Sequence, residues 1–194
     1  MDSEQDVTQK ELARQFRVLD QMISMHNVLA QRFLRLSLIL DISLLTFSVI
    51  FCATTFASDD FFLFLGLTPR SVKLVLGITS VMAFLAAVLS LRVDWKRSEA
   101  RHREAVQKLT ACIAQFRETR LASGEWPDGK AIQLSRLYRD TANGIIPIAD
   151  RLFPSLKAKH LRKVALSKLI DTHYGIPVFV LRIVIALRGP HKER

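Results

Sequence analysis

Cysteine occurs only twice in the 194 residues, as Cys52 inside a long apolar run and Cys112 inside a charged stretch. That excludes a disulfide framework and any metal site built on clustered cysteines. The five histidines are scattered at positions 26, 102, 160, 173 and 191, and no HExxH spacing occurs. The GxSxG, GxxxxGK[ST] and GxGxxG patterns are also missing. No spacing gathers a nucleophile, a base and an orienting acid, so neither enzymatic activity nor a metal or cofactor is expected. The acidic, polar opening "MDSEQDVTQKELARQF" is not the start of a cleavable signal peptide, so the first apolar run is expected to stay in the mature protein. Acids are in short supply: 18 Asp and Glu stand against 28 Lys and Arg, a net charge of +10.

Apolar residues, by contrast, are plentiful at 49%. High charge and high apolar content conflict in a simple soluble domain, but not if the apolar residues lie in a bilayer and the basic ones outside it. Residues 36–58 contain Asp41 as their only charge, and residues 74–91, "LVLGITSVMAFLAAVLSL", contain none. As helices these runs are about 35 and 27 Å long, enough to cross a bilayer. The alternative, two buried helices of a soluble bundle, fits poorly with uncharged runs of this length.

The expected fold is therefore an all-α membrane protein: a two-span helical hairpin with an N-terminal helix and a long C-terminal helix, both cytoplasmic. Arg32 and Arg35 precede the first span and Arg92, Lys96, Arg97, Arg101 and Arg103 follow the second, whereas the connecting loop, 59–73, opens with Asp59 and Asp60, turns at Gly66 and Pro69, and has only Arg70 and Lys73 near its far end. This asymmetry places both termini in the cytoplasm. Residues 1–35 form an amphipathic helix with Leu12, Phe16, Leu19, Ile23, Ala30 and Phe33 along one seam and His26 in its gap. Residues 92–122 are expected to continue the second span without a break, with Trp95, Val106, Leu109, Ile113 and Phe116 in a seam that includes Glu99 and His102. The two helices run in opposite directions, so His26, ten positions before Leu36, and His102, ten after Arg92, should lie at a similar depth. They are either polar residues that fix helix register or a titrating or ligating pair.

Residues 123–194 form a basic cytoplasmic end, too short for a nucleotide-binding or protease fold. Turns at "ASGEWPDGK" and "ANGIIP" flank a helix around "AIQLSRLYRD", and a further helical stretch is interrupted by Pro154. Lys157, Lys159, Arg162, Lys163 and Lys168 occur with no acid between Asp150 and Asp171, and Leu156, Leu161, Val164 and Leu169 are expected to give that helix an apolar side. Such a helix suits anionic lipid, a phosphate-bearing ligand, or simple packing on a neighbour. Nucleic acid is not expected, because aromatic residues do not interleave with the cations. Residues 176–188 are too short to span and contain Arg182, and their Val and Ile content would also suit a strand; a terminal interfacial element docked near the bilayer or against another subunit is expected there.

Inside the first span Ser37, Asp41, Ser48, Cys52 and Thr55 are spaced by four, seven, four and three residues, which puts them on one helix face. In the second, Ser80, Ala83, Ala87 and Ser90 make a strip of small residues that allows close helix approach. One hairpin encloses no water, but a ring of hairpins can, with the polar face lining a pore and Asp41 near its cytoplasmic mouth. Alternatively the stripe only mediates helix contacts, its hydroxyls bonding back to their own backbone and Asp41 reaching Arg35 or the headgroups.

A cytoplasmic helix, two closely spaced spans and the long helix "WKRSEARHREAVQKLTACIAQFRETRL" together resemble the SLATT family, the SMODS and SLOG-associating two-transmembrane effectors of bacterial conflict systems. The resemblance covers roughly residues 10–122. It implies an inner-membrane anti-phage effector that forms a homo-oligomeric pore when a cytoplasmic sensor or a nucleotide-signalling enzyme reports infection, and no catalytic residue carries over. The competing expectation is a non-conducting membrane scaffold or signalling subunit that recruits a cytoplasmic partner.

Overall fold

The computed structural model describes residues 2–56, 68–121, 124–173 and 175–188. All secondary structure among them is helical: α1 (Asp2–Phe56), α2 (Pro69–Arg92), α3 (Trp95–Thr119), α4 (Asp128–Asn143), a 3-10 turn (Asp150–Leu152), α5 (Phe153–Thr172) and α6 (Val178–Arg188). The acidic opening of the loop, Asp59 and Asp60, and the Gly66 turn lie outside the described residues.

α1 is one unbroken helix of 55 residues, so the amphipathic segment and the first apolar run are a single element. Its sequence contains neither glycine nor proline, and no interior position forces a break. α2 starts earlier than residue 74. Thr68 caps it, its hydroxyl accepting from the Ser71 N–H at 3.4 Å, and Pro69 occupies the first turn, where its missing N–H costs nothing.

The helix expected to run from the second span through residue 122 is interrupted. α2 ends at Arg92, Val93 is extended, and α3 begins at Trp95. Asp94 causes the restart: its carboxylate accepts the Arg97 N–H at 2.9 Å, and its carbonyl accepts the Ser98 N–H at 3.0 Å. A short acceptor side chain offers orphan amides a partner, so a new N-terminus can form without glycine or proline.

The chain divides into two compact units, one made of residues up to Val28 with those from His102 onward, the other of Leu29–Arg101. In the first, the N-terminal half of α1 packs with α3 and α4. Leu12, Leu19, Leu109, Cys112, Ile113, Phe116, Trp126, Ala131 and Leu134 form its core, with Phe16, Ile23, Leu137 and Tyr138 packed against them. The seams recur at spacings of three and four, which keep one face of each helix inward.

A hydrogen-bonded clamp fixes the link between α3 and α4. The Gln9 side chain donates to the Trp126 carbonyl at 2.6 Å and accepts the Trp126 N–H at 3.0 Å, while the indole N–H donates to the Phe116 carbonyl at 2.9 Å. The Arg120 guanidinium lies 5.0 Å from the Trp126 ring centroid and bonds the Gly124 carbonyl at 2.5 Å. Gly124 has φ +88°, a conformation that suits glycine because it lacks Cβ.

Beyond α4, Pro154 does not interrupt a helix but sits in the first turn of α5, where proline is tolerated. Residues 178–188 are helical, their Val and Ile content notwithstanding. α5 and α6 pack against one another.

Candidate functional site

α1 and the run containing α2 are long and apolar enough to cross a membrane. Their apolar residues face outward: only 6% of the most apolar 18-residue window of the first is buried, and none of the second. Ile39, Ile42, Leu45, Val49 and Ile50 on α1, and Leu74, Val81, Met82, Phe84 and Leu89 on α2, are all exposed. A water-soluble core helix would show the reverse.

The polar stripe of α1 does not meet one uniform environment. Ser37 is buried. Asp41 is half exposed and pairs with the Lys96 ammonium at 3.0 Å, rather than with Arg35. Ser48 lines a groove of about 180 Å³ between α1 and α2, together with Leu44, Phe47 and Phe51 of its own helix and Thr79, Ser80 and Ala83 of α2. Cys52 and Thr55 are exposed, and the Thr55 hydroxyl donates to the Phe51 carbonyl of its own helix at 2.8 Å. The polar stripe and the small-residue strip thus meet in part, at Ser48, Ser80 and Ala83, while Ala87 and Ser90 are half buried outside that groove. Small side chains permit the close approach, and the groove is mainly apolar, with Ser48, Thr79 and Ser80 as its hydroxyl-bearing residues.

In the other unit, His26 and His102 meet. Their Nδ1 atoms are 2.9 Å apart and their ring centroids 5.1 Å apart, and the two residues are 0% and 6% exposed. One ring donates and the other accepts, so only one of the two facing nitrogens carries a proton. His26 Nε2 is buried with no hydrogen-bond partner. Burial, and then the neighbouring His102, pushes the His26 pKa down to about 4; burial also lowers that of His102. A neutral, packed pair holds α1 against α3. Among the described residues, no group of three or more His, Cys, Asp or Glu could hold a metal.

Lys157, Lys159, Arg162, Lys163 and Lys168 are all exposed. The apolar side expected of that helix is not one side: Leu156 is buried, Leu169 half buried, and Leu161 and Val164 are exposed. At about 100° per residue, Leu156 and Leu161 lie on different faces.

Sequence reasoning missed Lys96 as the partner of Asp41, Thr79 as a groove residue, and the Gln9 and Trp126 clamp. Each joins residues far apart in the chain, and periodicity reports only which face of a helix a residue occupies. The Asp94 cap did carry a local signal, an acceptor followed three and four residues later by the amides it serves.

The class defined is a chain whose regular structure, among the described residues, is all helical, with an outward-facing apolar helix pair and a separately packed basic helical unit. Comparison with family models, curated proteins and solved structures gave no match.

Proposed function

We propose that the chain is a two-span membrane protein that assembles with copies of itself and opens a pore through the membrane on activation. The observation that carries the reading is the outward apolar surface of α1 and α2, which leaves their apolar side chains in need of a nonaqueous solvent. An exposed carboxylate on such a surface is costly in lipid, and Asp41 is exposed on α1. In a ring of hairpins that face meets water instead. Arginine and lysine beside the apolar runs support a bacterial inner-membrane location with both termini cytoplasmic. Resemblance to the SLATT arrangement supports an anti-phage effector, gated by a cytoplasmic sensor or a nucleotide-signalling enzyme.

Cys52 is a built-in reporter. A membrane-impermeant thiol reagent reacts with the thiolate, which forms only where water reaches the sulfur. In induced cells, the pore reading expects modification of Cys52 together with membrane depolarisation, while buried Cys112 stays unmodified. Asp41→Asn and Ser48→Leu should alter the depolarisation and leave insertion unchanged. If cells keep their potential and bulky apolar substitutions along the whole stripe change nothing, the pore reading fails.

A non-conducting scaffold or signalling subunit is the second reading. It is favoured by Ser48 sharing the groove with Thr79 and Ser80, and by the Thr55 hydroxyl bonding its own helix. It expects Cys52 to stay unmodified in intact cells.

A further inference from the structure

The two helices that close the chain carry a second feature, separate from the apolar hairpin. On α5, Phe153, Lys157, Leu161, Val164 and Lys168 follow one another at spacings of four, four, three and four, which aligns them along one side of the helix. All five are exposed, with Phe153 at 42%, Leu161 at 55% and Val164 at 38%. α6, packed on α5, buries Leu181 and exposes Phe179, Arg182 and Ile183. Large apolar side chains and cations therefore share the exposed faces of both helices, and no acid occurs between Asp171 and Arg188.

We propose that the α5 and α6 pair docks on the surface of an anionic bilayer, its apolar side chains entering the headgroup boundary and Lys157, Lys168 and Arg182 pairing with lipid phosphates. The inference goes beyond the spanning helices and rests on the membrane reading only for having a bilayer within reach. Charge complementarity selects the occupant. A second copy meeting the same patch across a two-fold axis would set these cations against their own counterparts. A nucleic acid satisfies the cations but gives Leu161, Val164 and Ile183 nothing to bury against. Anionic lipid satisfies both, since cations near such a surface are attracted while apolar side chains leave water.

The test uses the full chain in nanodiscs of phosphatidylcholine alone or mixed with phosphatidylglycerol, carrying a polarity-sensitive fluorophore on Val178→Cys in a Cys52→Ser, Cys112→Ala background. Alkaline extraction from membranes reports separately whether the spans insert, so failure of that reading is distinct from failure of this one. The expected result is a blue shift and brightening in anionic discs only, reversed by high salt. At about fivefold per cation, Lys157→Gln, Lys168→Gln and Arg182→Gln together lower the ratio of docked to free by about a hundredfold. The Arg and Lys exchanges Lys157→Arg, Lys168→Arg and Arg182→Lys retain the shift, which separates lost charge from lost folding. Emission independent of lipid charge overturns the proposal. So does a shift that grows with protein concentration in detergent, the signature of a second copy, or one produced only by an added oligonucleotide.

Discussion

His26 and His102 connect a single atom pair to the stability of the unit around them. His26 titrates at about 4 in the folded chain and at an ordinary 6.5 when unfolded. Between those values the unfolded chain binds more protons, so stability is full above about 6.5 and is lost as pH falls toward 4. At about 1.4 kcal/mol per unit the loss is about 3 kcal/mol. The thermal midpoint of the chain in detergent should fall steeply from about pH 7 to about pH 4.5, and His26→Asn should flatten that dependence. An equally steep profile in the variant would place the titrating group elsewhere. Gly124 offers a second residue-level test: a Cβ at its positive φ is strained, so Gly124→Ala should cost about 1–2 kcal/mol in the same unfolding measurement. That the two histidines lie level with one another was legible from their equal separations from the apolar runs, and the break at Val93 and Asp94 is short enough to preserve it. Their direct bond was not, since it depends on how far each helix is rotated about its axis.

Helices start and stop where backbone amides find other partners, and the junction at Val93 and Asp94 follows that rule. Absence of glycine and proline argues for continuity there, yet a single carboxylate outcompetes it. Replacing Asp94 by Ala removes the cap and should cost about 1 kcal/mol. Amide exchange at Arg97 is the direct readout: faster exchange in Asp94→Ala is expected, and unchanged exchange would show that other contacts hold the first turn of α3. Apolar seams on α1, α3 and α4 were readable from spacing alone, because burying one face of a helix requires residues three and four apart. The exposed strip of α5 was harder to read. Leu156 and Leu161 are both leucines in one helix, but five positions rotate them onto different faces, and composition carries no such angle.

The chain leaves the first unit at Val28 and returns at His102, so the apolar helices of residues 29–101 are inserted in the sequence between two flanks that build one helical core. Two long apolar helices were legible from the uncharged runs, whereas the closure of the core over that separation depends on the Gln9 and Trp126 contacts, which no run shows. Leu19 is 0% exposed at the heart of that core, and Leu19→Ala should destabilise the unit by about 2–5 kcal/mol. Loss of Trp126 fluorescence burial at a lower denaturant concentration would report it, and an unchanged midpoint would mean that the flanks fold independently. α1 belongs to both units, and at 55 residues it is about 80 Å long. A continuous helix is also a phase counter. Each residue added between Leu19 and His26 turns the histidine by about 100° relative to the apolar seam before it, while seven return it to within about 20°. One inserted alanine should therefore swing His26 off the face that meets His102 and lower the thermal midpoint, and seven should restore the angle at the expense of a longer shaft.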